Sequence, residues 1–303
     1  MITHPPEESR KTPKPPWLRV AFPTHPDYFA VSALLEKHSL NTICRSAKCP
    51  NIAECWSERT ATFLILGNVC TRACAFCAVV KGTPGPPSEE EPRQVAEAAA
   101  RLGLTHVVIT SVTRDDLPDG GAGHFVRTIG ALRQRLPEAS IEVLVPDFGG
   151  DENALRRVIH AGPDVLNHNL ETTEALYPKI NRPASNYQRS LNVLRAAKDE
   201  GAVTKSGLMI GAGETEEDLV RTFKDLRRTG CDLLTIGQYL QPTRNHAPVV
   251  RYYTPEDFTR LRAVALSLGF GGVEAGPLVR SSFHAHQLYD TFRRLQKGIP
   301  CAT

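Results

Sequence analysis

From residue 60 onward the chain alternates short apolar runs with longer amphipathic stretches, and this rhythm restricts the fold more than any other feature. The runs are ATFLILG, HVVITSV, IEVLVP, DVLNHN, VTKSGLMIG and CDLLTIG, followed by helical periodicity over 89–102, 123–136, 153–160, 187–200, 214–228 and 255–268. Runs of Val, Ile and Leu with little polar alternation suit strands buried on both faces, and strand–helix repetition is satisfied by a parallel sheet with helices outside. Six such units, against the eight of a closed barrel, predict an α/β fold: a partial (β/α)6 barrel of TIM type over residues 60–275. Residues 1–59 are then an N-terminal extension with a short helix near 28–38, and 276–303 a C-terminal segment.

Seven of the 23 prolines fall in the first 26 residues, which predicts an extended arm. The 36 Lys and Arg are spread against 33 Asp and Glu, leaving +3 and no basic block, so no nucleic-acid partner is expected. Neither an apolar leader nor a run of about 20 apolar residues is present, so no membrane partner is expected and the chain reads as soluble and cytoplasmic.

Six of the eight cysteines lie between positions 44 and 77, in two groups of three. Cys44, Cys49 and Cys55 are spaced C-x4-C-x5-C within CRSAKCPNIAEC; Cys70, Cys74 and Cys77 are spaced C-x3-C-x2-C within CTRACAFC. In a reducing compartment clustered cysteines are metal ligands more often than disulfides, and threes do not pair. Thiolates select zinc, copper(I) or iron–sulfur clusters. A structural zinc site wants four protein ligands, whereas a four-iron cubane held by three cysteines keeps one iron open. The second trio follows the first strand directly, on the barrel face where active sites assemble.

The C-x3-C-x2-C loop with Phe76 resembles the signature of the radical S-adenosylmethionine (SAM) superfamily, whose partial barrel carries this loop after its first strand. With the upstream trio the resemblance narrows to the lipoyl synthase family, to which KPPWLR, ATFLILGNVCTRACAFC, TSVTRDDLPDGGAGHF, LNHNLET, SGLMIGAGETEED, IGQYLQP and GPLVRSSFHA are similar in the same order, from Lys14 to Ala285. The resemblance implies insertion of two sulfur atoms, at carbons 6 and 8 of an octanoyl group on a lysine of a lipoyl carrier protein. It implies two 4Fe-4S clusters and SAM: Cys70, Cys74 and Cys77 hold the cluster that cleaves SAM to a 5′-deoxyadenosyl radical, and Cys44, Cys49 and Cys55 an auxiliary cluster consumed as sulfur donor. Ser282 of the RSS segment is implied as the fourth auxiliary ligand, with Ser281 as the alternative. Asn169, Glu171, Gly211 and Glu214 are implied as SAM contacts, and a ferredoxin or flavodoxin as electron donor.

Plainer readings stand beside these. Gly211 and Glu214 in GAGE also suit a strand-to-helix turn, and Ser281 and Ser282 also suit a helix N-cap. Strand alternation puts Asn167 and Asn169 on the barrel-mouth face and His168 on the other, packed and satisfied. Arg114 and Asp115 are expected on the active-site rim, and Cys231 and Cys301 as ordinary residues. Two departures from the family pattern are visible: Phe283, where RSSY would be usual, and Asn181 in INRPAS, where an apolar residue would be usual. Other sulfur-inserting enzymes, such as biotin synthases and methylthiotransferases, do not predict the upstream trio together with RSS. A non-catalytic ferredoxin-like or zinc-stapled protein is the alternative of another class; a conventional two-cluster ferredoxin would need eight liganding cysteines.

Overall fold

The computed structural model describes residues 14–20 and 22–298, so Cys301 and the beginning of the proline-rich arm lie outside the described residues. Seven strands, in sequence order, form the barrel wall: β1 (Thr62–Ile65), β2 (His106–Ser111), β3 (Ser140–Leu144), β4 (Val165–Asn167), β5 (Thr204–Ile210), β6 (Leu233–Gln238) and β7 (Gly272–Gly276). All neighbours pair in parallel. Each is joined to the next by the helical crossover that parallel pairing needs: Glu91–Leu102, Ala122–Arg135, Glu152–His160, Ser185–Asp199, Glu216–Arg228 and Pro255–Ser267. The last two helices begin at reciprocal capping boxes, Thr215 with Asp218 and Thr254 with Asp257.

The outer edge of β1 pairs with a two-residue antiparallel strand, Asn41–Thr42, and not with β7. The barrel therefore stays open, and the N-terminal extension is joined to its edge. The six expected units are present, and β7 is an addition to them. Its sequence, GVEAG, offers little apolar signal because its neighbourhood is built for close approach: the terminal helix Ala285–Gln296 buries Leu288, Tyr289 and Phe292 beneath the barrel, against Val165 and Leu233.

Inside the barrel Glu142 is fully buried and accepts from Lys205 Nζ at 2.9 and 3.1 Å and from Asn167 Nδ2 at 2.9 Å. Burial alone would raise the Glu142 pKa, but Lys205 and His106 outweigh it and hold it at about 2. Asn167 thus sits within the barrel rather than lining its open mouth, correcting the expectation from alternation. Beyond β7 the chain returns across the mouth. Gly237 on β6 permits this, since a Cβ there would stand 2.0 Å from the Val279 carbonyl oxygen.

Candidate active site

The Cys70–Cys77 loop is fixed by bonds from four different strand-following segments. Thr71 donates from its N–H and its hydroxyl to Thr113 O, at 3.1 and 3.0 Å. Arg72 forks onto Asp115 at 2.8 and 2.7 Å and reaches Asp147 at 2.7 Å. Ala75 N–H donates to Ile180 O at 2.9 Å; Ala247 N–H donates to Ala75 O at 2.9 Å, and His246 Nε2 meets Cys77 O at 3.0 Å. Burial would raise the Asp147 pKa, but the Arg72 guanidinium overrides it and holds the carboxylate at about 2. Asp115 is therefore on the rim, as expected. Arg114 is not: it is 1% exposed, bonded to Asp116 and to Leu66 O, and props the end of β1 from beneath.

Cys44 and Cys55 of the upstream trio sit in two short helices, Ile43–Ser46 and Ile52–Ser57, with Cys49 in the turn between them. Thr42 Oγ1 caps the first, accepting from Arg45 N–H at 3.3 Å. Trp56, fully buried and 5.2 Å from the Tyr28 ring, anchors the second. The segment thus has packing of its own. Burial pushes the Cys44 and Cys77 thiols up to about 11 and also raises Cys49, Cys74 and Cys55; Cys55 is raised further by Cys44 and Cys49 nearby. Such thiols give up their protons to a soft cation far more readily than to water.

All seven described cysteines are free, so no disulfide competes. Neither trio draws its three sulfurs within 4.8 Å of one another. A tetrahedral zinc, with bonds of about 2.3 Å, would pull them to about 3.8 Å. Each trio also has an arginine that forms no ion pair among the described residues. Arg280 acts on Cys49 and bonds only its neighbour's carbonyl, Val279 O. Arg182 acts on Cys74 and has a buried, unpartnered Nη1. A half-buried cation without a carboxylate at ion-pair distance suits an anionic group, which three thiolates on an iron–sulfur core would provide.

The returning C-terminal segment is tied to the upstream trio on both sides of Ser282. Asn51 Nδ2 donates to Leu278 O at 2.7 Å, and His284 Nε2 stands 3.5 Å from Glu54 Oε1. Ser281 Oγ accepts from Asn169 Nδ2 at 3.4 Å. Neither serine caps the terminal helix; its N-cap is His284, with φ of +49° and no capping bond. The Phe283 ring stacks on His284 at 3.9 Å.

Glu171, at φ +72°, extends the β4–β5 pairing: its N–H donates to Gly207 O at 3.0 Å and its carbonyl accepts from Met209 N–H at 2.7 Å. With Phe76, Ile180, Met209, Ala212 and Tyr239 it lines a small cavity at the mouth. Asn169 Oδ1 is buried without a partner. Glu214 spends both carboxylate oxygens on the N–H groups of Gly211 and Ala212. Gly211 and Glu214 therefore shape the turn, while Asn169 and Glu171 face the mouth. His168 is packed on the other face and meets Val145 O at 2.8 Å, yet its Nε2 has no partner, so it is only half satisfied. Burial pushes its pKa down to about 4. Cys231 is buried in the second-half core. Sequence reasoning passed over Arg182, whose only signal is a charge next to Pro183 in a turn.

The radical SAM superfamily matches residues 64–226. A lipoyl synthase of Caldanaerobacter subterraneus subsp. tengcongensis is 56% identical over 274 residues, covering 90% of this chain and 95% of its own. One from Rubrobacter xylanophilus is 54% identical over 290 residues, covering 95% and 90%. Among solved structures, HydG, a maturase of the FeFe-hydrogenase, aligns with a TM-score of 0.58 at 12% identity, over 88% of this chain and 67% of HydG. Streptococcus suis SuiB bound to S-adenosylmethionine aligns with a TM-score of 0.54 at 10% identity, over 72% and 50%. These two likenesses bear on the barrel alone; the sequence relatives carry the assignment further, with both cysteine trios inside the aligned length. The chain belongs to the lipoyl synthase family of the radical SAM superfamily.

Proposed function

We propose that the chain inserts two sulfur atoms into an octanoyl group amide-linked to a lysine of a lipoyl carrier protein, with two 4Fe-4S clusters facing one space at the barrel mouth. The supporting observation is the path of residues 278–284, which reaches Asn51 and Glu54 around the upstream trio and, through Ser281, touches Asn169 above the other. On this reading Cys70, Cys74 and Cys77 hold the cluster that binds SAM, and Cys44, Cys49, Cys55 and Ser282 the auxiliary one. Cluster and SAM together supply the one-electron cleavage that makes an unactivated C–H bond breakable.

The chain's own residues bind, orient and exclude water. Arg182 is the candidate partner for the SAM carboxylate, because its Nη1 is a buried donor with nothing to donate to. Asn169 Oδ1 is a buried acceptor for an N–H or O–H of the same ligand. Glu214 holds the 211–214 turn in shape as a wall for the adenosyl group. Ser282 would offer the auxiliary cluster a hard oxygen among soft thiolates, the weakest ligand of its set. The half-buried Arg280 beside Cys49 offsets the negative charge there.

One-electron reduction by a ferredoxin or flavodoxin and a reducing cytoplasm belong to the same reading. No described helix is long and apolar enough to cross a membrane. Metal analysis of anaerobically reconstituted protein is the test: about eight irons and eight sulfides per chain are expected. Saturation at one zinc with no iron overturns the reading.

A further inference from the structure

Asn181 stands where an apolar residue would be usual, and the structure gives it a task. Its backbone is left-handed, φ +58°, a conformation asparagine tolerates and β-branched residues do not. From that position Nδ2 donates to Ala73 O at 2.7 Å, inside the span between Cys70 and Cys74. The preceding carbonyl, Ile180 O, accepts from Ala75 N–H at 2.9 Å. The two bonds run in opposite senses and straddle Cys74. Next in the chain is Arg182, its guanidinium 5.3 Å from the Tyr177 ring centroid, with Nη1 buried and free and its charge acting on both Cys74 and Glu171. One three-residue turn therefore grips the cysteine loop on one side and carries the free guanidinium on the other.

We propose that Asn181 is a positioning residue that locks this turn to the Cys74 side of the loop. It thereby fixes the separation of Arg182 from the trio. The proposal rests on the reading of that loop as the SAM-binding cluster loop. One SAM molecule must be held at two points, by the cluster and by the partner of its carboxylate, so a tie that sets their spacing sets how well both engage at once. The remaining bonds of the loop, to Thr113, Asp115, Asp147, His246 and Ala247, reach it from other elements; the N–H groups of Asn181 and Arg182 donate to Pro178 O and Tyr177 O, which shape the turn, and the bonds at Ala73 and Ala75 are what join it to the loop. An apolar side chain at 181 has no donor for Ala73.

Two variants separate the hydrogen bond from the backbone shape. Asn181→Gly keeps the left-handed conformation and removes the donor. Asn181→Asp keeps size and shape but turns an acceptor toward the Ala73 carbonyl. Hydrogen exchange read by mass spectrometry, on both cluster-free and reconstituted protein, follows the peptide containing the Ala75 amide. Loss of one hydrogen bond predicts about fivefold faster exchange there in both variants and both states, with the 44–57 peptide unchanged. In reconstituted protein the SAM dissociation constant is expected to rise by about the same factor, with the melting midpoint moving by no more than about 3 °C. Unchanged exchange in both variants overturns the tie, and faster exchange in Asn181→Asp alone shows repulsion without a tie in the parent. Faster exchange with unaltered SAM affinity overturns the positioning role. If the parent reconstituted protein binds no SAM, the reading of the loop falls and the proposal with it, whereas the exchange arm in cluster-free protein does not depend on that reading.

Discussion

Replacing Gly237 by alanine tests how the two halves of the site are held together. The added Cβ would stand 2.0 Å from Val279 O and 3.0 Å from Val279 C, both backbone atoms, so no side-chain rotation relieves the clash. Residues 278–282 must lift off β6, and with them go the Asn51–Leu278 bond and the approach of Arg280 to Cys49. Overpacking of this kind costs about 1–3 kcal/mol, which at this chain length lowers the melting midpoint by about 2–5 °C. The barrel wall and the Cys70–Cys77 loop are untouched, since none of the loop's bonds involves the lifted segment. Reconstituted Gly237→Ala is therefore expected to carry about four irons instead of about eight and still to cleave SAM, with sulfur insertion lost. Asn51→Ala, which removes only the bond to Leu278, is the milder companion, with partial loss of the auxiliary irons. Full iron and parental product from Gly237→Ala would refute the claim that this segment closes the auxiliary site.

Cys74→Ala is expected to keep the auxiliary irons while abolishing 5′-deoxyadenosine formation, measured by chromatography of the quenched reaction; normal SAM cleavage would show the roles of the trios to be reversed. Ser282→Cys should retain an auxiliary cluster yet lose most sulfur insertion, and Ser281→Ala, which removes only a long bond to Asn169, should do less harm; the opposite ranking assigns the ligand to Ser281. Glu142 and Asp147 are both held at about 2, so the stability they give is complete above the ordinary carboxylate pKa of about 4 and is lost as pH falls from there toward 2. Glu142→Gln, leaving Lys205 buried and unpaired, should cost about 3–5 kcal/mol at neutral pH and flatten the acid dependence of the circular-dichroism melting midpoint; a variant as steep as the parent refutes the pairing.

The barrel was legible because parallel strands buried on both faces write themselves as Val-, Ile- and Leu-rich runs, and six of the seven strands do so. β7 was hidden because it is glycine-rich, its signal given up to let the terminal helix approach. The grouping of Cys70, Cys74 and Cys77 was visible in the sequence, since residues close in sequence need no tertiary knowledge to be brought together. The ties that hold it were not: Arg72 finds Asp147 and Asn181 finds Ala73 across separate strand-following loops, and no local pattern reports a contact between them. Arg114 shows the converse failure. A charge in a loop reads as exposed, but the end of β1 offered it a carbonyl and Asp116 a carboxylate, so it was buried with its partners. Asn167 was placed on the correct face and at the wrong depth, because alternation fixes the face a side chain takes and not how far the barrel encloses it.

The most direct measurement is mass spectrometry of an octanoylated lipoyl-domain peptide after anaerobic incubation with reconstituted protein, SAM and a one-electron reductant. The account predicts a product richer by two sulfur atoms, with two hydrogens fewer once its thiols close to a disulfide, and loss of iron from the auxiliary site as product forms. A peptide recovered with its octanoyl group unaltered, from protein that carries both clusters and cleaves SAM, would contradict it.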